Sequence, residues 1–254
     1  KSIDYKDGEI TANNPKGVYK GKGILDLLPN LRALHKIVQD HQTNEDYRMG
    51  MVASAPVGKE PGKAFEVLSK KLSTVGSISA SSDCFQGHPK GLASVMLDND
   101  PDQSENPDER SIFSLYPPDF IKEIQKLVPE LAWNMDYFYR YSSSAGIQYI
   151  DKEGQTKKVK ENAGLQYYFL VNQGEKIDQL IQTIFTRAII NGIFWVEGAK
   201  DGKGKLGTLV DRRAFHPYTL LLPVNAKLEG DKDKIWRHEK YNTISYVEGD
   251  VKVL

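Results

Sequence analysis

Apolar positions along the chain fall into two rhythms. Leu31, Leu34, Ile37 and Val38 recur at helical spacing and predict a helix opening near Asn30. Phe120, Ile121, Ile124 and Leu127 do the same over 117–128, behind two prolines and an acidic first turn. The longest stripe, of Ile177, Leu180, Ile181, Ile184, Phe185, Ala188 and Ile189, predicts a third helix. Residues 62–73 also read as helix, with Phe65, Leu68 and Leu72 on one side and Lys63, Lys70 and Lys71 on the other. Alternation or short apolar runs predict strands over 48–54, 93–97, 136–142 and 164–171, and two strands joined by a Gly/Lys turn over 192–211. The first 23 residues, polar and glycine-rich, read as an arm or irregular edge. Residues 99–110 read as an acidic loop, 151–162 as a charged hairpin or loop, and the chain beyond 211 as short strands and turns. Helices mixed with hairpins at 143–164 and 197–206 predict an α+β fold, a mixed and largely antiparallel sheet with flanking helices.

Composition narrows this only a little. With 254 residues, 39% of them hydrophobic, the chain can bury a sizeable core in one or two domains. Its 34 basic and 34 acidic residues cancel, so net charge neither suggests nor excludes a nucleic-acid partner. The single cysteine, Cys84, excludes an internal disulfide and a Cys-rich zinc knuckle, and points to a reducing compartment. No apolar run approaches the ~18 residues of a membrane helix, and no signal peptide opens the chain. The expectation is a cytoplasmic protein. A start at Lys1 rather than Met reads as one module of something longer.

Chemistry enters at "ASVMLDNDPD", residues 93–102. Asp98 and Asp100 are two apart at the end of an apolar strand, so both point the same way. Like charges that close repel unless a cation lies between them. A hard divalent ion such as Mg²⁺ or Mn²⁺ takes oxygen ligands, a few from protein and the rest from phosphate and water. "GTLVDRR" (207–213) offers a third carboxylate, Asp211, also ending an apolar run. Three such groups can hold two ions about 4 Å apart, the arrangement used in phosphoryl transfer. The bland readings stand beside this one: aspartates capping a turn, and Asp211 in a surface ion pair with Arg212 or Arg213. "RYSSSAGIQY" (140–149) and "NAGLQYYFLV" (162–171) add small residues and hydroxyls that allow a triphosphate to approach, or that simply make a hairpin. "GKGKLG" (202–207) lacks the following helix of a phosphate loop.

Taken in order, "VMLDNDPD", "SSSAG" with "AGLQYYF", and "GTLVDRRAFHP" resemble the motifs of the archaeo-eukaryotic primase superfamily, most of all the primase-polymerases of phages, plasmids and other mobile elements. The resemblance spans about residues 45–225. It implies an RRM-like catalytic core over 45–225, an N-terminal arm and helix over 1–44, and C-terminal strands or a linker to a further domain over 226–254. It implies catalytic, metal-ligating roles for Asp98, Asp100 and Asp211 in a two-ion Mg²⁺ or Mn²⁺ site, and nucleotide contacts from Ser142, Ser144, Gly164, Gln166 and Arg213. Where relatives carry a histidine on the phosphates, this chain has Gln166, which can donate a hydrogen bond but never a positive charge. None of the five histidines, including His216 near Asp211, replaces it convincingly.

The expected function is therefore DNA-templated primer synthesis by a primase or primase-polymerase acting in mobile-element replication. The implied partners are a single-stranded DNA template, an NTP or dNTP, and a helicase fused or in trans, in a prokaryotic or phage-infected cytoplasm. Lys157, Lys158 and Lys160 in one loop, and Lys200, Lys203 and Lys205 in another, are the candidate template contacts; both runs also read as plain solvated loops. A replication-initiation or DNA-binding module with a weakened or inactive primase fold is the alternative that Gln166 allows. A metal-dependent nuclease or sugar-nucleotide transferase is a third class, and the His-x-His cluster of a relaxase-type nuclease is missing.

Overall fold

The structure, a computed structural model, describes residues 2–13, 20–44, 55–69, 71, 72, 74, 75, 77–79, 81–100, 117–160, 163–198, 204–211 and 225–254. The strand expected over 48–54 and most of the acidic loop lie outside these residues.

The amino-terminal stretch is not an arm. β1 (Ser2–Lys6) turns Ile3 and Tyr5 inward and pairs antiparallel with β2 (Glu9–Asn13). Asp7 and Gly8 between them take φ of 51° and 82°, the paired positive values of a turn whose twist matches that of the strands. On its other side β1 pairs in parallel with β12 (Lys227–Glu229), which makes it the middle of three strands. Ser2, Asp4 and Lys6 alternate with Ile3 and Tyr5 within a stretch that is polar overall, and that alternation followed by Asp-Gly was the readable signal.

The described residues of 62–73 are not a helix either. β4 (Ala64–Leu68) pairs antiparallel with β3 (Lys20–Ile24). Phe65 and Val67 are half-buried while Ala64 and Glu66 are exposed, a period of two. The helical stripe would need Leu72, which is 53% exposed. So short an apolar run fits either period, and an aromatic with a β-branched residue tips it to strand.

The three remaining helical stripes form helices. α1 (Leu31–His41) is capped by Asn30, whose Oδ1 accepts from the Ala33 N–H at 3.0 Å, and it buries Leu31, Leu34 and Val38. α2 (Pro117–Leu127) starts on its prolines, and α3 (Ile177–Ile190) buries Ile177, Ile181, Ile184 and Ala188.

An antiparallel sheet frames the main core, in the order β14 (Ile244–Val247), β6 (Tyr137–Tyr141), β9 (Leu165–Val171), β5 (Ala93–Asn99). α1 covers one face, where His35 meets Phe138 and Tyr246 edge-on at 5.2 and 5.5 Å. α2 covers the other, where Phe120 stacks on Tyr167 at 4.3 Å. α3 packs beside α2 and sends the Arg187 guanidinium to the Leu127 carbonyl at 2.9 Å. A strand from 226–254 thus completes the sheet built by strands of 45–225, and the helix of 1–44 packs on it.

A second, smaller core of Ile3, Tyr5, Ile147, Ala226 and Ile235 lies between the β1 sheet and a sheet of β13 (Ile235–Arg237), β7 (Ile147–Ile150) and β8 (Thr156–Lys158). β10 (Trp195–Gly198) and β11 (Gly204–Gly207) form the expected antiparallel hairpin. The architecture is α+β with mostly antiparallel sheets. Among the described residues no helix is long and apolar enough to cross a membrane.

Candidate functional site

Strand register decides what the site contains. Met96, Tyr168 and Phe138 lie opposite one another across β5, β9 and β6, and two residues further on so do Asp98, Gln166 and Arg140. Side chains alternate, so both rows share the face that α1 covers. The first row is apolar, with Phe138 and Tyr168 stacked at 4.6 Å. The second, at the strand ends, is a carboxylate, an amide and a guanidinium.

β5 is an edge strand, and the segment leading to Asp211 runs along its end. The Asp211 N–H donates to the Asp98 carbonyl at 2.9 Å, and Asn99, fully buried, donates from Nδ2 to the Leu209 carbonyl at 3.0 Å. Asn99 is therefore the clasp that carries Asp211 to Asp98, a reason for an amide between two aspartates. Asp100 sits just past the strand, where the Lys160 ammonium meets its Oδ1 at 2.6 Å.

Asp98 feels all of these groups. Burial raises its carboxyl from the ordinary 3.8 to about 7, with help from the charges of Asp100 and Asp211, while Lys160 and Arg140 pull it down. Asp98 thus stands between two carboxylates that raise it and two cations that lower it. The donors are all carboxylate oxygens, which suits a hard divalent ion. As placed, no three His, Cys, Asp or Glu side chains among the described residues are spaced as metal ligands. The three aspartates are close enough to shift a proton equilibrium and are not gathered into a coordination sphere.

Gln166 is engaged as an acceptor. Its Oε1 takes bonds from Arg140 Nη1 and from the Tyr168 hydroxyl, each at 3.3 Å. Arg140 is 1% exposed and also donates from Nη2 to Asn225 Oδ1 at 3.1 Å. Gly164 precedes β9, and a Cβ there would stand 3.1 Å from both the Asn99 carbonyl and Ser142 Oγ, so glycine permits this close approach. Ser142 Oγ is enclosed with no hydrogen-bond partner among the described residues, and Ser144 is buried. The serine loop is held from below by Arg237, which donates to the carbonyls of Ala145, at 2.7 Å, and Ser143. Burial and neighbouring Arg140 depress the Arg237 guanidinium to about 10.

The lysines separate. Lys160 belongs to the carboxylate cluster, whereas Lys157 and Lys158 sit exposed on β8, Lys157 lying 3.6 Å from Asp151. Lys200, Lys203 and Arg213 fall outside the described residues, and Lys205 is placed by its backbone alone, in β11.

Arg140 and Asn225 were not singled out from the sequence. For Arg140 a signal exists. In "YFYRY" it shares the parity of Phe138, so a strand with that face inward buries a charge, which requires a partner. Comparison with protein-family models, curated proteins and solved structures finds no match to this chain.

Proposed function

We propose that this site transfers nucleotidyl groups onto a primer strand, as a primase or primase-polymerase using a single-stranded DNA template and NTPs or dNTPs. The observation that carries the reading is the approach of Asp211, from far along the chain, to Asp98 and Asp100 at one sheet end. Asp98, Asp100 and Asp211 would hold Mg²⁺ or Mn²⁺, which when bound lowers the pKa of the primer 3′-hydroxyl and stabilises the pyrophosphate leaving group. The chain's own residues do the rest. Asn99 holds Asp211 against β5. Arg140 supplies beside Gln166 the fixed positive charge that Gln166 lacks, and keeps the amide oriented through its oxygen. Ser142 offers an enclosed hydroxyl at the mouth of β9. A helicase as neighbour, the cytoplasm of a prokaryotic or phage-infected cell, and template contact through Lys157 and Lys158 belong to the same proposal.

Labelled-nucleotide incorporation on primed single-stranded DNA tests it. Asp98→Ala, Asp100→Ala and Asp211→Ala should each abolish incorporation and leave the circular dichroism spectrum intact. Near-normal incorporation by any of them removes the two-metal assignment.

The second reading is a replication-initiation or DNA-binding module with weak or no catalysis. The occupation of Asp100 by Lys160, and of the Gln166 oxygen by Arg140 and Tyr168, favours it. Tight single-stranded DNA binding with no metal-dependent incorporation would select that reading.

A further inference from the structure

We propose that Lys160 is a displaceable stand-in for a divalent ion at Asp100, and that once displaced its ammonium becomes a ligand for the phosphates of the incoming nucleotide; this rests on the nucleotidyl-transfer reading above. Three observations lead there. The first is burial. The Lys160 and Asp100 side chains are 20% and 22% exposed, whereas the lysines of the other described Lys–carboxylate pairs are 46% exposed or more. An exposed pair is screened by water and worth little, but this one is largely shielded and therefore matters.

The second is charge. The Lys160 ammonium already holds the Asp100 carboxylate at 2.6 Å. Adding a divalent ion with Lys160 still in place would bring an ammonium and a dication within a few ångströms of each other, sharing Asp100 as an acceptor. Lys160 and the ion therefore compete.

The third is mobility of the right kind. Lys160 follows β8, and the backbone before it is fixed by the Val159 N–H on the Ile147 carbonyl at 2.9 Å. Its flexible four-carbon stem lets the charge swing without backbone movement, which the planar fork of an arginine does less readily. A displaced ammonium in a shielded cleft needs an anion, and the triphosphate is the anion the reaction supplies. Ion and nucleotide then help each other bind, because each relieves the lysine of the other's site.

The test is manganese binding, read from the electron paramagnetic resonance signal of free Mn²⁺, together with titration of a fluorescent nucleoside triphosphate at saturating Mn²⁺. Lys160→Met keeps an unbranched stem of four heavy atoms and removes the ammonium. It should tighten Mn²⁺ binding in the absence of nucleotide by about tenfold and weaken nucleotide binding by about the same factor. A lysine that is only a strut would move both affinities the same way, or neither, and that result overturns the inference. Asp98→Asn and Asp211→Asn separate the two levels. If wild-type Mn²⁺ binding depends on both aspartates but is unchanged in Lys160→Met, only the displacement falls. If Mn²⁺ is bound by neither protein, or without dependence on Asp98 and Asp211, the metal reading falls with it.

Discussion

Asp98 and Gln166 face each other across two strands and answer to different charges. The Asp98 carboxyl titrates near 7 in the fold against 3.8 ordinarily, so the folded state binds the extra proton between those values. Stability of the metal-free protein should therefore fall as pH rises from about 4 to 7, by at most roughly 4 kcal/mol. Asp98→Asn removes that slope, and melting temperatures in EDTA across pH should show the variant overtaking wild type toward neutrality. Gln166→His tests the other end. A neutral imidazole can still accept from Arg140, but an imidazolium would face its guanidinium, so its pKa should be depressed. The variant should match wild type at pH 8 and lose stability as pH falls below the usual ~6.5, visible in urea midpoints at pH 8 and 5.5.

Among elements, β14 and the turn after it are tied to β6 by one carboxylate as well as by backbone pairing. Asp136 accepts from the Tyr246 hydroxyl at 2.7 Å, the Gly249 N–H at 2.9 Å and the Lys252 ammonium at 3.2 Å. Burial pushes its carboxyl up, but these donors outweigh it and hold the group below 3.8, so its contribution is present at neutral pH and lost only in stronger acid. Asp136→Ala should cost about 3 kcal/mol, and hydrogen exchange should open Ile244–Val247 first. Elements with long stripes or clean strand runs, such as α3, β5 and β9, were legible because the local period and the burial agree. β1 and β4 were misread because five residues hold too little pattern to outvote polar neighbours or a coincident helical spacing. At the site, acids ending apolar runs exposed Asp98, Asp100 and Asp211. The part played by Arg140 depends on which residue lies opposite it two strands away, and that register is set by tertiary pairing.

For the molecule as a whole, the proposed template path runs past Lys157 and Lys158, which are exposed on β8, whereas Lys160 is committed to Asp100. Reversing both charges should flatten the salt dependence of single-stranded DNA binding by roughly 1.4 in log–log slope, about 0.7 per lost contact. Fluorescence anisotropy over a salt series measures it, and an unchanged slope makes β8 a solvated strand only. The pairing of β1 with β12 has a consequence of another kind, in time. Ser2 lies beside Lys227, so β1 meets its parallel neighbour only after about 225 further residues have been made. Closing so long a loop is entropically slow, and contacts that distant govern folding rates more than final stability. Until β7 is made Ile3 and Tyr5 have only the β1–β2 hairpin to shelter them, an isolated hairpin is marginal in water, and the core stays open until Ala226 and Ile235 join it. The smaller core should therefore consolidate last, leaving an apolar hairpin exposed through synthesis as the segment most in need of a chaperone.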